Sequence, residues 1–414
     1  MLEPMHSRYR RPAIVRRLNA MAAACGDARA VVPIEAPDLV ELAVRTTGVG
    51  DFGEFGDGDW RGRLDALVRA VNASDQHVVG RLMTREEILR CLRTRLLMAR
   101  RWREDPGIAD EEIRAPLVVT GPARSGTTIT FELLALDPGL RSPRAADVIH
   151  PMPPAGTTDA GRLAMTECEQ ELWADVQPEF AAIHELRSDL PVECVTINAP
   201  SFAGNHWPML IQQIGDWVPD MAADFAWHRA ILKTLQRGDP GRRWLLKTPG
   251  YLLMLDLLAE AYPDAELILT HRDPARTMPS TVSTTAMIQW IRTDRVDLDT
   301  LSAMIGAVFS GALAEVARRH RDGTMPLASG HVRFTELLRD PVGAVERACA
   351  GIGRRVSPGH AAAIRDYLAR KPKGKFGKHR YTASEWGFDE ARLRGELAGY
   401  LETFDVALEQ EEGA

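Results

Sequence analysis

Arg124, Ser125, Thr127 and Thr128 fall within one short segment, GPARSGTT, at positions 121–128. A guanidinium and three hydroxyls beside two glycines, Gly121 and Gly126, are the donors that an oxygen-rich anion requires. Leu117, Val118 and Val119 before them predict a buried strand, and Ile129 to Leu136 after them repeats at helical spacing, so the segment turns a strand into a helix. At such a junction the first backbone N–H groups of the helix have no partner within it, and the positive end of its dipole faces the same point. The predicted chemistry is phosphate binding. The glycine spacing matches the nucleotide-binding G-x-x-x-x-G-K-[ST] loop, but Thr127 stands where that loop has its lysine. This argues against ATP or GTP hydrolysis and makes Arg124, inside the loop, the cation of the phosphate.

Two further cations belong to the stretch from Arg242 to Ser283. Trp244 to Leu246 predicts a strand, Leu252 to Tyr262 a helix and Glu266 to Thr270 a second strand, a βαβ unit parallel to the first strand. Lys247 and Arg272 then stand at the carboxyl ends of neighbouring strands, at the sheet edge where the phosphate loop also lies. Arg124, Lys247 and Arg272 in one crevice repel one another unless an anion neutralises them. Proton acceptors are offered by Asp147 and His150 in the proline-rich loop SPRAADVIHPMPPAG, and by the cluster His184, Glu185, Asp189 and Glu193. His184 and Glu185 have no second histidine at helical spacing, which excludes a zinc-protease helix. The aromatic stretch Phe202 to Trp227 supplies core or the wall of an acceptor pocket.

The elements that must position these groups divide the chain into a helical N-terminal extension (1–112), an α/β domain (113–380), and a C-terminal helical segment with an acidic tail (381–414). The fold class expected is α/β, a central parallel sheet with a phosphate-binding loop, flanked by helices. With 45% hydrophobic and 26% charged residues among 414, the chain can bury a full core. A net charge of −6 gives no reason to expect nucleic acid as a partner. Five cysteines without a C-x-x-C pair point to neither a disulfide framework nor a zinc site, and a reducing, cytoplasmic compartment fits them. No segment is expected to span a membrane. Leu301 to Ala314, the longest weakly apolar stretch, reads as a packed helix, and the basic N-terminus reads as a solvated arm that could touch a membrane. The triplets Asp51-Phe52-Gly53 and His271-Arg272-Asp273 spell kinase fragments in the wrong order, which discounts kinase chemistry.

The two motifs together resemble those of the sulfotransferases that use 3′-phosphoadenosine 5′-phosphosulfate (PAPS). GPARSGTT resembles the 5′-phosphosulfate motif, and LILTHRDPARTMPS resembles the 3′-phosphate motif, with Arg272 followed eight residues on by Ser280. The likeness runs from about Ala115 into the C-terminal region and is closest to the bacterial and tyrosylprotein-type branch, whose loop reads RSGTT. It implies that Lys247 helps carry the sulfuryl group. The cytosolic branch places a catalytic histidine two residues after that lysine, where this chain has Pro249, so the base comes from elsewhere. The tyrosylprotein-type branch draws a glutamate from the loop past the phosphate motif. Asp147 lies in the comparable loop, with His150, His184 and Glu193 as reserves.

The resemblance also assigns RKPKGKFGKHRY, imperfectly, to the glycine-containing basic loop that closes over the 3′-phosphate, with Lys373, Gly374, Lys378 and Tyr381 as candidates. The tail after Leu408 reads as acidic and disordered. The function expected is in-line transfer of the sulfuryl group of PAPS to a hydroxyl on a small molecule, lipid or glycan, without a metal, leaving adenosine 3′,5′-bisphosphate. A nucleotide kinase and a non-catalytic nucleotide-binding protein are the alternatives.

Overall fold

Five short strands carry the apolar runs. In a computed structural model that describes residues 1–410 other than 155, 183, 184, 186, 213, 240 and 372–380, they are β1 (Leu117–Thr120), β2 (Leu140–Arg141), β3 (Arg243–Lys247), β4 (Glu266–His271) and β5 (Ala328–Arg333). All pair in parallel, in the order β2-β3-β1-β4-β5. Every residue of β1 is buried because both faces of the sheet are covered, which is why its sequence is a near-continuous apolar run. Val118, Leu246 and Leu267 pack on one face with Trp227, while Leu117, Val119, Leu245 and Ile268 pack on the other with Phe131 and Val345. One expectation is corrected here. β3 and β4 are not neighbours, because each pairs with β1. Val119 lies level with Lys247 on one side and with Ile268 on the other, so Lys247 and Arg272 flank the phosphate loop.

The helices that matter to the site are α1 (Ala13–Cys25), α2 (Val78–Glu104), α3 (Thr127–Leu134), α4 (Asp159–Val176), α5 (Pro274–Trp290) and α6 (Leu298–Asp322). The N-terminal helices share an apolar core with α5 and α6, in which Val15, Leu39, Leu64 and Ile88 meet Met287, Trp290 and Leu301. α2 is buried along most of its length. Its Arg95, fully buried, donates to Asp57 at 2.6 Å and lies over the rings of Trp60 and Trp227 at 4.7 and 4.8 Å. Arg95 also donates to the Pro200 carbonyl at 3.0 Å, and this bond with its contact to Trp227 ties the N-terminal helices to the layer beneath the sheet. α6 buries Leu301, Ile305, Leu313 and Val316 against the core, yet by length and composition it is apolar enough to cross a membrane. The packed-helix expectation for Leu301 to Ala314 therefore holds for one face only. Helices Glu390–Glu396 and Ala398–Thr403 pack against α5 and α6.

Candidate active site

The loop between β1 and α3 is shaped by backbone that ordinary residues avoid. Gly121 has φ 147°, and a Cβ there would collide with Thr270 of β4. Gly126 has φ 93° and stands at the N-cap of α3, where no side-chain cap bond is made among the described residues. Arg124 itself takes φ 66°, a left-handed conformation that costs a non-glycine residue about 1 kcal/mol or more. Its surroundings hold it there: Arg272 Nη1 donates to the Arg124 carbonyl at 2.9 Å. Ser125 Oγ donates to the Pro122 carbonyl and lies against Thr270 Oγ1, both at 2.6 Å, so this hydroxyl braces the loop. Burial lowers the Arg124 guanidinium from its ordinary value and the like charge of Arg272 adds to this, while a hydrogen bond to Tyr381 opposes it. The Tyr381 hydroxyl donates to the Arg276 carbonyl at 2.9 Å.

Each of the flanking cations meets a carboxylate of the chain. Lys247, only 2% exposed, pairs with Glu193 and donates to Thr128 Oγ1 at 3.2 Å. Arg272 grips Glu409 with both Nε and Nη2 at 2.8 Å and lies over the Phe334 ring at 3.9 Å. The Glu409 carbonyl accepts from Arg276 and Arg394 at 3.0 and 2.8 Å, and its N–H donates to the fully buried Asp273. The expectation of a disordered tail is corrected at this residue. The neutralising anions expected for the three cations are, in this structure, the chain's own glutamates at two of them. Ser280 Oγ, in the second turn of α5, is buried with no hydrogen-bond partner among the described residues.

The proton acceptors separate sharply. Asp147 is turned into the cap of the helix Ala145–Ile149, accepting from Arg144 N at 3.0 Å and pairing with Arg162 at 2.9 Å. Burial raises its carboxyl, but hydrogen bonds from Arg144 and the charges of Arg144 and Arg162 outweigh that and hold it below the ordinary aspartate value. His150 Nε2 lies 2.6 Å from Glu169 Oε1 rather than beside Lys247. Neither residue lines the crevice, so Glu193, a reserve in the sequence, is the carboxylate the structure brings to the lysine. His184, Lys373, Gly374 and Lys378 lie outside the described residues.

A cavity of about 910 Å³ opens from this crevice. Arg124, Thr127, Thr128 and Glu193 line one end, and Leu18, Met83, Trp173, Met209, Ile288 and Phe309 line its walls. Aromatic residues of the Phe202–Trp227 stretch are mostly core instead: Trp207, Trp217 and Trp227 are fully buried, and their indole N–H groups donate to backbone carbonyls. A second polar cluster lies against the cavity, where Glu87 bonds Arg292 and faces His206, both at 2.9 Å.

A glycine-containing loop on the central strand of a parallel sheet, with a lysine and an arginine at the ends of the two strands beside it, defines an α/β protein of the P-loop-like class. Residues 116–358 match the model of the sulfotransferase family, and the chain belongs to that family. It is similar to the crystal structure of sulfotransferase STF9 from Mycobacterium avium, with TM-score 0.76 and 26% identity over 92% of this chain and 98% of that one. Sulfotransferase STF1 from Mycobacterium tuberculosis shares the fold, with TM-score 0.69 and 24% identity over 89% and 99% of the two chains. The omega-hydroxy-beta-dihydromenaquinone-9 sulfotransferases Stf3 of Mycobacterium bovis and Mycobacterium tuberculosis are each 22% identical over 285 residues, 65% of this chain and 71% of theirs.

Proposed function

We propose that this protein moves the sulfuryl group of 3′-phosphoadenosine 5′-phosphosulfate to the hydroxyl of an apolar alcohol. The observation that carries the reading is the single cavity joining Arg124, Thr127, Thr128 and Glu193 to a long apolar wall. Three features fit the donor: the uncapped start of α3, the carboxylate already seated on Arg272, and the orphaned hydroxyl of Ser280. Loop residues Arg124, Thr127 and Thr128 with the first N–H groups of α3 would hold the 5′ end, and Arg272 and Ser280 the 3′-phosphate. Lys373, Gly374, Lys378 and Tyr381 are assigned to the same 3′ end by the motif. The bound donor supplies the sulfuryl group, which passes to the acceptor oxygen as its bond to the 5′-phosphate breaks.

Lys247 Nζ and Thr128 Oγ1 face the negative charge that builds on the leaving side. Glu193 Oε1, held in place by Lys247, takes the proton of the acceptor hydroxyl. Asp147 cannot do so without giving up its bonds to Arg144 and Arg162. The cavity walls exclude water from the reacting end and favour an alcohol with an apolar body. The Stf3 relatives, which are named for omega-hydroxy-beta-dihydromenaquinone-9, support a lipid-like acceptor over a glycan.

The test is transfer from labelled PAPS to primary alcohols of increasing chain length, with wild type and Glu193→Gln. Transfer rises with chain length in the wild type and falls by roughly 10²–10⁴ in the variant, while the affinity for adenosine 3′,5′-bisphosphate is retained. Transfer to sugars in preference to alcohols, or an unchanged rate in Glu193→Gln, would overturn this assignment.

A further inference from the structure

Several of the apolar side chains that line the cavity are in contact with water. Leu82 of α2, Leu172 of α4, and Met304 and Val308 of α6 all line it, yet they are 45–52% exposed. Scattered singly, such residues are ordinary; exposed on the lining of one cavity, they mark where it meets water. α6 extends this exposed apolar surface. From Leu301 to Ala314 it carries no charged residue, and Ala303, Met304, Ala307, Val308, Gly311 and Ala314 are all exposed. They recur three and four positions apart, so they form one face. A helix that meets water on that face ordinarily carries charge there.

α1 brings a second apolar face to the same cavity. Ile14, Leu18 and Met21 follow at helical spacing, with Leu18 lining the cavity and the other two 55% and 50% exposed. Arg17 falls on this face and Arg16 beside it; both are exposed, as is Arg10 just before the helix, and α1 contains no acidic residue. Apolar residues interleaved with arginines suit the boundary between headgroups and acyl chains of an anionic bilayer.

We propose that the mouth of the cavity docks on an anionic lipid bilayer, with the uncharged face of α6 and the Ile14–Met21 face of α1 at the headgroup level, so that the acceptor enters directly from the membrane. The purpose of this docking rests on the apolar-alcohol reading; the docking itself is measured without it. The arginines select a bilayer over a second copy of the chain, whose identical cations would be brought together at a self-complementary contact.

The experiment is flotation of the full chain with vesicles of phosphatidylcholine, with and without phosphatidylglycerol, at low and high salt. The variants are Ala303→Glu/Ala307→Glu and Arg16→Glu/Arg17→Glu, none of which lines the cavity. Wild type floats with the phosphatidylglycerol vesicles, salt weakens this, and each double variant binds roughly tenfold more weakly or less. Both variants keep the wild-type rate of transfer to a short, water-soluble alcohol, which shows that they are folded. Absence of flotation overturns the proposal. So does equal flotation of wild type and both variants, or a dimer in solution that Ala303→Glu/Ala307→Glu separates. Flotation without transfer to any alcohol would leave the docking standing and remove the acceptor reading instead.

Discussion

At the residue scale, the site sets charges against one another in pairs. Lys247 and Glu193 form one pair, and Arg272 and Glu409 the other. A third carboxyl lies against the cavity, and among the described residues no cation is bonded to it. Asp224 accepts from Asn198 at 2.7 Å and Ser201 at 3.0 Å, and burial pushes it up to about 7. Its folded value is therefore above the 3.8 of a free aspartate, and the folded protein holds a proton that the unfolded chain has released. The stability this proton supplies is fully present below the unfolded value and is lost as pH rises through about 7. Asp224→Asn, which can keep both hydrogen bonds, is expected to remove this dependence. Between pH of about 5 and about 8 the melting temperature of the variant falls less than that of wild type, by roughly 2–5 °C. An identical fall in both proteins would show that Asp224 does not titrate in the folded state.

At the element scale, the loop and its flanking strands were readable because their signals are local. A β-branched run, two glycines and a helical repeat fall within some twenty consecutive residues, Ala115 to Leu136, and no distant contact is needed to interpret them. The strand order was not readable, since which strand pairs with β1 is decided by packing on both faces. Nor was the carboxylate that meets Lys247: Asp147 lies nearer the loop in sequence, but three hydrogen bonds from Arg144 turn it away, whereas Glu193 arrives from a separate segment. The C-terminal segment was least legible, because the partners of Glu409 are 15 to 137 residues away. Its position carries a prediction. A 3′-phosphate on Arg272 must displace the Glu409 carboxylate, so Glu409→Gln is expected to tighten adenosine 3′,5′-bisphosphate binding about five- to tenfold. Calorimetric titration checks this, and an unchanged affinity would mean that the nucleotide does not use Arg272.

At the scale of the whole molecule, the N-terminal helices are part of the machinery rather than a detachable lead-in. Their apolar faces enclose the cavity, and Arg95, held by Asp57, fastens them beneath the sheet through the Pro200 carbonyl and the Trp227 ring. Removing one partner of such a pair leaves the other charge buried and uncompensated. Asp57→Asn is expected to cost about 3–5 kcal/mol in urea unfolding, within one transition rather than two. Early, separate loss of the N-terminal helices would show that the shared core does not couple them to the sheet.

The central claim is that the loop and Arg272 form one nucleotide site at the carboxyl edge of the sheet. Its most direct test is calorimetric titration of adenosine 3′,5′-bisphosphate, without metal, into wild type, Arg124→Ala and Arg272→Ala. The account predicts binding in the micromolar range for wild type, weakened in Arg124→Ala and lost in Arg272→Ala. No binding to wild type, or equal affinity in all three proteins, would contradict it.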